Sequence, residues 1–275
     1  MPEKTENLEI KLLLEAIFQK YHYDFRAYSP ASIKRRLRQA QERFGCSSIS
    51  ILQDKVLHNP DVLPSLLELL TVQVSELFRD PLYFKVIRDQ VIPHLRTYPS
   101  LKVWIAGCSS GEELYSFVIL FREEGLEEKT IFYATDINPH ALERAQAGVY
   151  GLDRIKLFTE NHQKSGGKSS LSNYYTAAYG RAVFDRSLRE RVVFSDHSLV
   201  TDEVFAEVQF TSCRNVLIYF DRELQDRAIG LFTEALSRKG FLGLGAKESL
   251  NFSAHAEAYT TFSRDEKIYQ KRGTP

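Results

Sequence analysis

The chain has 275 residues, with 36 Lys+Arg balanced by 36 Asp+Glu, so no global field draws it toward nucleic acid. A composition of 43% hydrophobic and 26% charged residues fits one large or two modest folded domains and excludes fibrous and disordered classes. No apolar run is long enough for a bilayer, Met1–Lys4 open no signal core, and Cys46, Cys108 and Cys213 form no close pair. A cytoplasmic protein without membrane insertion, disulfide or metal site is expected.

The first eighty residues read as successive helices. Ile10, Leu13, Leu14, Ile17, Phe18 and Tyr21 recur on one helical face. Ser29-Pro30 has the pattern of a cap followed by proline at the first helical position. Ile33, Leu37, Ala40 and Phe44 then make a stripe that Gly45 stops. Ile49, Leu52 and Val56 predict a third helix, and a leucine-rich fourth runs to Leu70. Asp80-Pro81 is another cap-plus-proline pattern, after which strands begin. Leu101–Ala106, Ile131–Thr135, Val208–Ser212 and Gly240–Leu244 read as buried strands, alternating with helical stripes such as Leu114, Phe117, Val118 and Phe121. Such alternation predicts an α/β, doubly wound, mostly parallel sheet. The stretch between Tyr150 and Arg191, with its Gly/Ser/Lys-rich Ser165–Ser170 and an aromatic patch at Tyr174, Tyr175 and Tyr179, reads as a small inserted subdomain.

Three places at the strand ends could carry chemistry. Gly107–Glu113 (GCSSGEE) joins the first strand to a helix, the arrangement that lets backbone approach an adenosine cofactor. Its spacing is not G-x-G-x-x-G, and two carboxylates at the helix start would repel a pyrophosphate. A nucleoside cofactor without phosphates, such as S-adenosylmethionine, suits it better; a plain acidic helix start fits the same residues. Asp136, at the end of the second strand, is placed to accept from ribose hydroxyls, or else to cap the next helix. Cys213–Asp221 (CRNVLIYFD) puts polar groups just past the third strand, where an ordinary strand-to-helix turn is the alternative. Six basic residues against one acidic between Arg26 and Phe44 predict a positive helix face, either a docking patch or a solvated surface.

Together these segments resemble the chemotaxis receptor methyltransferase (CheR) family over nearly the whole chain. CRNVLIYFD is the most specific match, supported by GCSSGEELYS, ATDIN, LFRDP, AQAGVY and GAKESL in the family order. The resemblance implies a small all-helical domain over residues 1–75 and a Rossmann-like S-adenosylmethionine-dependent methyltransferase domain over 76–275, with a small β subdomain inserted at about 151–190. It implies methyl transfer to glutamate carboxylates of chemoreceptor cytoplasmic domains, with S-adenosylhomocysteine as product. By motif position, Gln73, Ser75, Arg79, Glu113, Asp136, Ser198, Leu199, Arg214 and Asn215 would contact the cofactor. Arg79 and Tyr219 would serve catalysis and the substrate carboxylate, and Arg35, Arg36 and Arg38 would dock the receptor.

Departures from the family pattern are Gln73 for Asn, Ser75 for Thr, Leu77 for Phe, Leu114 for Pro, Ser198 for Asn, and Ala246-Lys247 for His-Ser. They motivate the alternative of a cofactor-binding adaptor with weak or lost turnover. The chemistry needs no general base, since a glutamate with a pKa of about 4.3 is already ionised at neutral pH. Alignment and exclusion of water are what remain to be supplied. The hairpin around Ala177–Gly180 is short, resembling family members that do not use a receptor C-terminal tether peptide.

Overall fold

The computed structural model describes residues 2–71 and 75–273. Four helices open the chain: α1 (Pro2–Tyr21), α2 (Pro30–Arg43), α3 (Ile49–His58) and α4 (Val62–Leu70). Their stripes are buried together, among them Leu13 and Ile17, Ile33 and Leu37, Leu52 and Val56, Leu66 and Leu70. Ser48 caps α3 by accepting from the Ile51 N–H at 3.2 Å. Ser29 makes no side-chain cap; its backbone N–H instead reaches the Tyr219 carbonyl at 2.8 Å.

A second helical stretch runs through α5 (Pro81–Val86), a wider turn over Ile87–Val91, and α6 (Ile92–Leu95). In that turn Ile92 N–H donates to Ile87 O, one residue further back than in an α-helix. Pro93 follows and has no N–H to donate, so the register change falls where the ladder is already interrupted. Asp80 does not cap α5 either. It sits at φ 57 with its carboxylate on Arg214.

The α/β unit proceeds as β1 (Leu101–Ala106), α7 (Glu112–Glu123), β2 (Thr130–Asp136), α8 (Pro139–Ala147), β3 (Val149–Gly151), α9 (Leu152–Lys164), β4 (Tyr175–Ala178), β5 (Arg181–Phe184), β6 (Val192–Asp196), β7 (Val208–Cys213), α10 (Arg222–Ala235), β8 (Leu236–Leu244), β9 (Tyr259–Ser263) and β10 (Ile268–Lys271). The large sheet has the order β6-β2-β1-β7-β8-β10-β9. Its first five strands pair in parallel, and β10 pairs antiparallel with both β8 and β9. This is the doubly wound sheet expected, with β1 at the reversal of strand order.

Both faces of the sheet are covered, which explains why β1 reads as an unbroken apolar run. Trp104 and Ala106 belong to one core, shared with α1–α4 and α10. Val103 and Ile105 belong to the other, shared with α5–α7. The helical unit is thus joined to one sheet face by continuous apolar packing. Strands β3, β5 and β4 form a separate antiparallel sheet, whose β4–β5 turn places Tyr179 and Gly180 at φ 51 and 74. Two consecutive positive φ values make the tight hairpin turn that matches strand twist. Helix α9, inside the insertion, was not among the expected elements. No described helix is long and apolar enough to cross a membrane.

Candidate active site

The tips of β1, β2 and β7 open into a cleft enclosing about 920 Å³, open solvent included. Its floor is tightly hydrogen-bonded. Gly107 and Cys108 N–H groups both donate to Thr135 O, at 2.8 and 2.9 Å, tying the β1 turn to β2. Gly111 (φ 92) starts α7, and a Cβ there would stand 2.9 Å from the Ala145 Cα, so only glycine fits. Asp136 is 7% exposed and lines the cleft. It accepts from Ser109 N–H at 2.8 Å and Asn138 N–H at 2.9 Å. Burial pushes its carboxyl up, and those two donors pull it back. Asn138, rather than Asp136, caps α8, accepting from His140 N–H at 3.0 Å. Asp136 is therefore a fixed acceptor lining the cleft.

The two acids at the start of α7 have separate partners. Glu112 is fully buried and pairs with Arg154 of α9 at 2.7 Å. Glu113 accepts from Ser212 Oγ at 2.6 Å and from Arg214 at 3.2 Å. Arg214 also donates to Asp80 at 2.7 Å and to the Arg79 carbonyl at 3.1 Å, and lies 4.1 Å from the Tyr83 ring centroid. Burial works against its charge, but Glu113, Tyr83 and Asp80 outweigh it and hold the guanidinium above its ordinary value.

Past β7, Asn215 takes a left-handed conformation (φ 62). Glu248, 5% exposed, holds this turn by accepting from Asn215 N–H at 3.0 Å, Ile218 N–H at 3.3 Å and Gly245 N–H at 2.6 Å. Burial raises its pKa against those donors. Tyr219 follows and is fastened to the helical unit: Asp221 N–H donates to Ala27 O at 3.0 Å, and Tyr28 stacks edge-on against Phe220 at 4.9 Å.

The roof is the segment from Ser75 to Asp80. Arg154 donates to the Ser75 carbonyl, Asn161 to Leu77 O at 3.1 Å, and Ser116 Oγ accepts from Phe78 N–H at 2.7 Å. Helix α9 of the insertion and α7 therefore hold the strand of chain that carries Arg79. The Arg79 guanidinium lines the cleft and engages no described residue.

Of the residues singled out in the sequence, Ser75, Arg79, Glu113, Asp136, Leu199, Arg214, Asn215 and Tyr219 all line this cleft. Gln73 lies outside the described residues. Ser198 is not a lining residue; its Oγ accepts from Val200 and Thr201 N–H groups in a local turn. His197 lines the cleft beside it. The basic face of α2 needs correction. Arg36 is not on the surface but 2% exposed inside the cleft, because its position shares the buried side with Ile33, Leu37 and Ala40. Arg38 is exposed, yet its Nε and Nη2 donate to both carboxylate oxygens of Glu6 of α1, at 2.7 and 2.9 Å, and Lys34 also meets Glu6 at 3.0 Å. Arg35 is exposed and engages no described residue. Tyr28, part of the resemblance of the helical domain but given no site role, also lines the cleft; the motif reading missed Arg154, and it missed Glu248 although the GAKESL segment contains it.

The donor set suits a phosphate-free nucleoside cofactor. Asp136 offers acceptors to hydroxyls, Leu199, Val200 and Phe220 offer apolar walls to a base, and Glu113 offers negative charge to an ammonium or sulfonium. A pyrophosphate would instead meet Glu113 and an Arg214 already paired with acids. Cleft and doubly wound sheet together define a nucleoside-dependent methyltransferase. Comparison with known proteins agrees. Residues 73–267 match the family described as "CheR methyltransferase, SAM binding domain", and residues 8–71 match "CheR methyltransferase, all-alpha domain". A Pseudomonas putida protein described as "Putative methyltransferase Cher3" is 55% identical over 98% of both chains. A chemotaxis protein methyltransferase of Listeria innocua is 31% identical over 82% of this chain and 84% of its own, and one of Vibrio cholerae is 28% identical over 79% and 80%. The chain belongs to the CheR methyltransferase family, and S-adenosylmethionine is its cofactor.

Proposed function

We propose that the chain methylates side-chain carboxylates, specifically glutamates of chemoreceptor cytoplasmic domains. The observation that carries this reading is the Arg79 guanidinium, uncommitted among the described residues and sharing one cleft with Tyr219. When bound, S-adenosylmethionine supplies a sulfonium methyl, so an acceptor carboxylate gains an O–CH₃ bond as the C–S bond breaks toward sulfur, with no proton to remove. The work left to the protein is to bind, orient and exclude water. Arg79 offers paired N–H donors that orient a carboxylate, and Tyr219 offers a hydroxyl. No base is required of the site. Cys108 and Cys213 are buried with thiol pKa values pushed well up by burial, which fits structural roles. The β4–β5 hairpin, four residues a strand with a two-residue turn, favours action without a receptor tail tether.

The test is transfer from methyl-labelled cofactor to purified receptor cytoplasmic fragments, with and without their C-terminal tails. Base-labile label on both fragments is expected, and Arg79→Ala should lower kcat/KM by at least ~10²-fold while S-adenosylhomocysteine still binds. Cofactor binding without transfer to any fragment would favour the adaptor alternative. Transfer that depends on the tail would overturn tether independence.

A further inference from the structure

Among the described residues two buried histidines keep one ring nitrogen without a partner, His162 and His197. His162 packs beneath the roof, outside the cleft lining, with its Nε2 on Glu123. His197 lines the cleft and is 8% exposed. It leaves the end of β6, and its backbone N–H donates to Asp136 O at 3.3 Å, which ties it to the tip of β2. The ring is held edge-on against Trp104 and Phe205, with centroids 5.3 and 5.2 Å away. Its Nε2 lies 3.1 Å from the carbonyl of the exposed Glu203. A carbonyl only accepts, so Nε2 carries the proton and the neutral ring presents Nδ1 as a bare acceptor. The two nitrogens of an imidazole point in nearly opposite directions, so Nδ1 is turned away from the Glu203 loop. No described residue donates to it. An acceptor buried without a donor is disfavoured, and a donor on a ligand would satisfy it. The residues that follow are not available for that task. Ser198 N–H donates to Asp202 at 2.9 Å, and its Oγ accepts from Val200 and Thr201 N–H groups at 3.2 and 3.3 Å. Leu199 and Val200 bring apolar side chains to the cleft.

We propose that His197 selects the base of the cofactor, its Nδ1 accepting a hydrogen bond from the exocyclic amine of adenine. Once joined to ribose, adenine carries no other N–H donor, so an acceptor facing the base can read only that group. Hypoxanthine has a carbonyl oxygen at the same place and would set lone pair against lone pair. A site built to hydrogen-bond an N–H rejects the analogue that lacks it more strongly than an apolar pocket can. The backbone bond from His197 to Asp136 places the base reader beside the acid offered to the ribose, as a nucleoside requires. The carboxylate of Ser198's partner Asp202 fixes the turn that follows, and Trp104 and Phe205 fix the ring, so the acceptor is aimed before the cofactor arrives. The inference concerns the cofactor alone and holds whichever acceptor is methylated.

The experiment uses the full chain as wild type, His197→Phe and His197→Asn, each checked for folding by thermal melting. Calorimetry measures S-adenosylhomocysteine, S-inosylhomocysteine, which carries hypoxanthine, and the 2′-deoxy form of S-adenosylhomocysteine. Wild type is expected to prefer the adenine ligand over the hypoxanthine one by at least ~30-fold. In His197→Phe, which keeps a ring and loses both nitrogens, S-adenosylhomocysteine affinity should fall about 5- to 20-fold and the base preference at least ~5-fold. Both variants lose the bond to Glu203, but Asn keeps an acceptor close to the Nδ1 position, so His197→Asn should retain most of the preference. The ratio between the two bases is the reading that a packing role would not move. If Phe is too large for the site and the protein does not fold, the smaller His197→Leu takes its place. An equal loss of both ligands with the ratio unchanged would overturn the proposal, as would a wild type that binds the two bases alike. Loss of the preference for ribose over 2′-deoxyribose, with base preference intact, would overturn it in favour of a sugar hydroxyl as the donor.

Discussion

The floor and the roof of the cleft are built on opposite principles. On the floor, Asp136 and Glu248 each accept from two or three backbone N–H groups, and Glu113 and Arg214 satisfy one another. Toward the helical unit, the cations Arg36 and Arg79 keep donors that no described residue accepts. A surface whose polar groups are already paired is preorganised, and its hydrogen bonds do not rearrange when a ligand arrives. A surface with unpaired donors gains most from an incoming anion, because binding relieves a desolvation cost already incurred on folding. The cofactor and the acceptor carboxylate are accordingly expected on different halves of one cleft. The acceptor half comes from elements far apart in the chain, α2 and the segment after α4.

The most damaging way to break this contrast is to remove an acceptor from the floor. Glu248→Ala strands the N–H groups of Asn215, Ile218 and Gly245 in a buried turn, for a loss of about 2–4 kcal/mol in stability. S-adenosylhomocysteine affinity should fall at least ~10-fold with it, because Asn215 and Tyr219 lose their placement. Glu248→Gln keeps one carbonyl acceptor and should lose about half as much. Thermal denaturation and calorimetry on both variants check this. A Glu248→Ala protein that binds the cofactor normally would show that the turn is rigid without its carboxylate.

That division explains which parts were legible in the sequence. The sheet was readable chiefly from β1, which is buried on both faces and reads as the near-continuous apolar run LKVWIA. Strand β6 lies at the sheet edge with Ser195 and Asp196 exposed, and its pattern is correspondingly weak. Helix α9 was obscured because its apolar positions, Ile155 and Phe158, are interleaved with buried polar residues, Asn161 and His162, whose partners lie on α7 and the roof. Residues at strand tips could be named from motifs since local turns place them. Arg36 was named only as a docking residue of an exposed face, because a charge beside an apolar stripe looks exposed until Leu70 and Tyr219 pack against it. The neutralisation of Arg38 was not legible either, since it depends on the packing of α1 beside α2.

The roof can be loosened without touching the cleft. Helix α9 is fastened to α7 by Glu123, which accepts from His162 at 3.0 Å and pairs with Arg88 at 2.7 Å. Burial raises the Glu123 pKa, but His162 and Arg88 prevail and hold it at about 2, below its ordinary 4.5. Between those values the folded state binds fewer protons than the unfolded one. The contribution of Glu123 is therefore complete above pH 4.5 and lost as pH falls toward 2. Glu123→Gln should lower Tm at neutral pH and flatten the fall of Tm through that acid window. An acid limb as steep as that of wild type would assign the transition to other carboxylates.

The smallest effect sharpens the contrast at its outer edge. Arg35 and Arg38 are both exposed on α2, but among the described residues only Arg38 is engaged by a carboxylate, that of Glu6, which is held at about pKa 2 by Arg38 and Lys34. If α2 presents positive charge to an acidic receptor surface, Arg35→Glu should raise the KM for receptor fragments about three- to fivefold, with kcat unchanged. Arg38→Ala should do less, because the charge it removes is already neutralised within the protein. The effect of Arg35→Glu should fade as ionic strength rises, as expected for exposed charges. Equal effects of the two substitutions, or a salt-independent one, would mean that α2 acts on the acceptor through the buried Arg36 rather than through its surface.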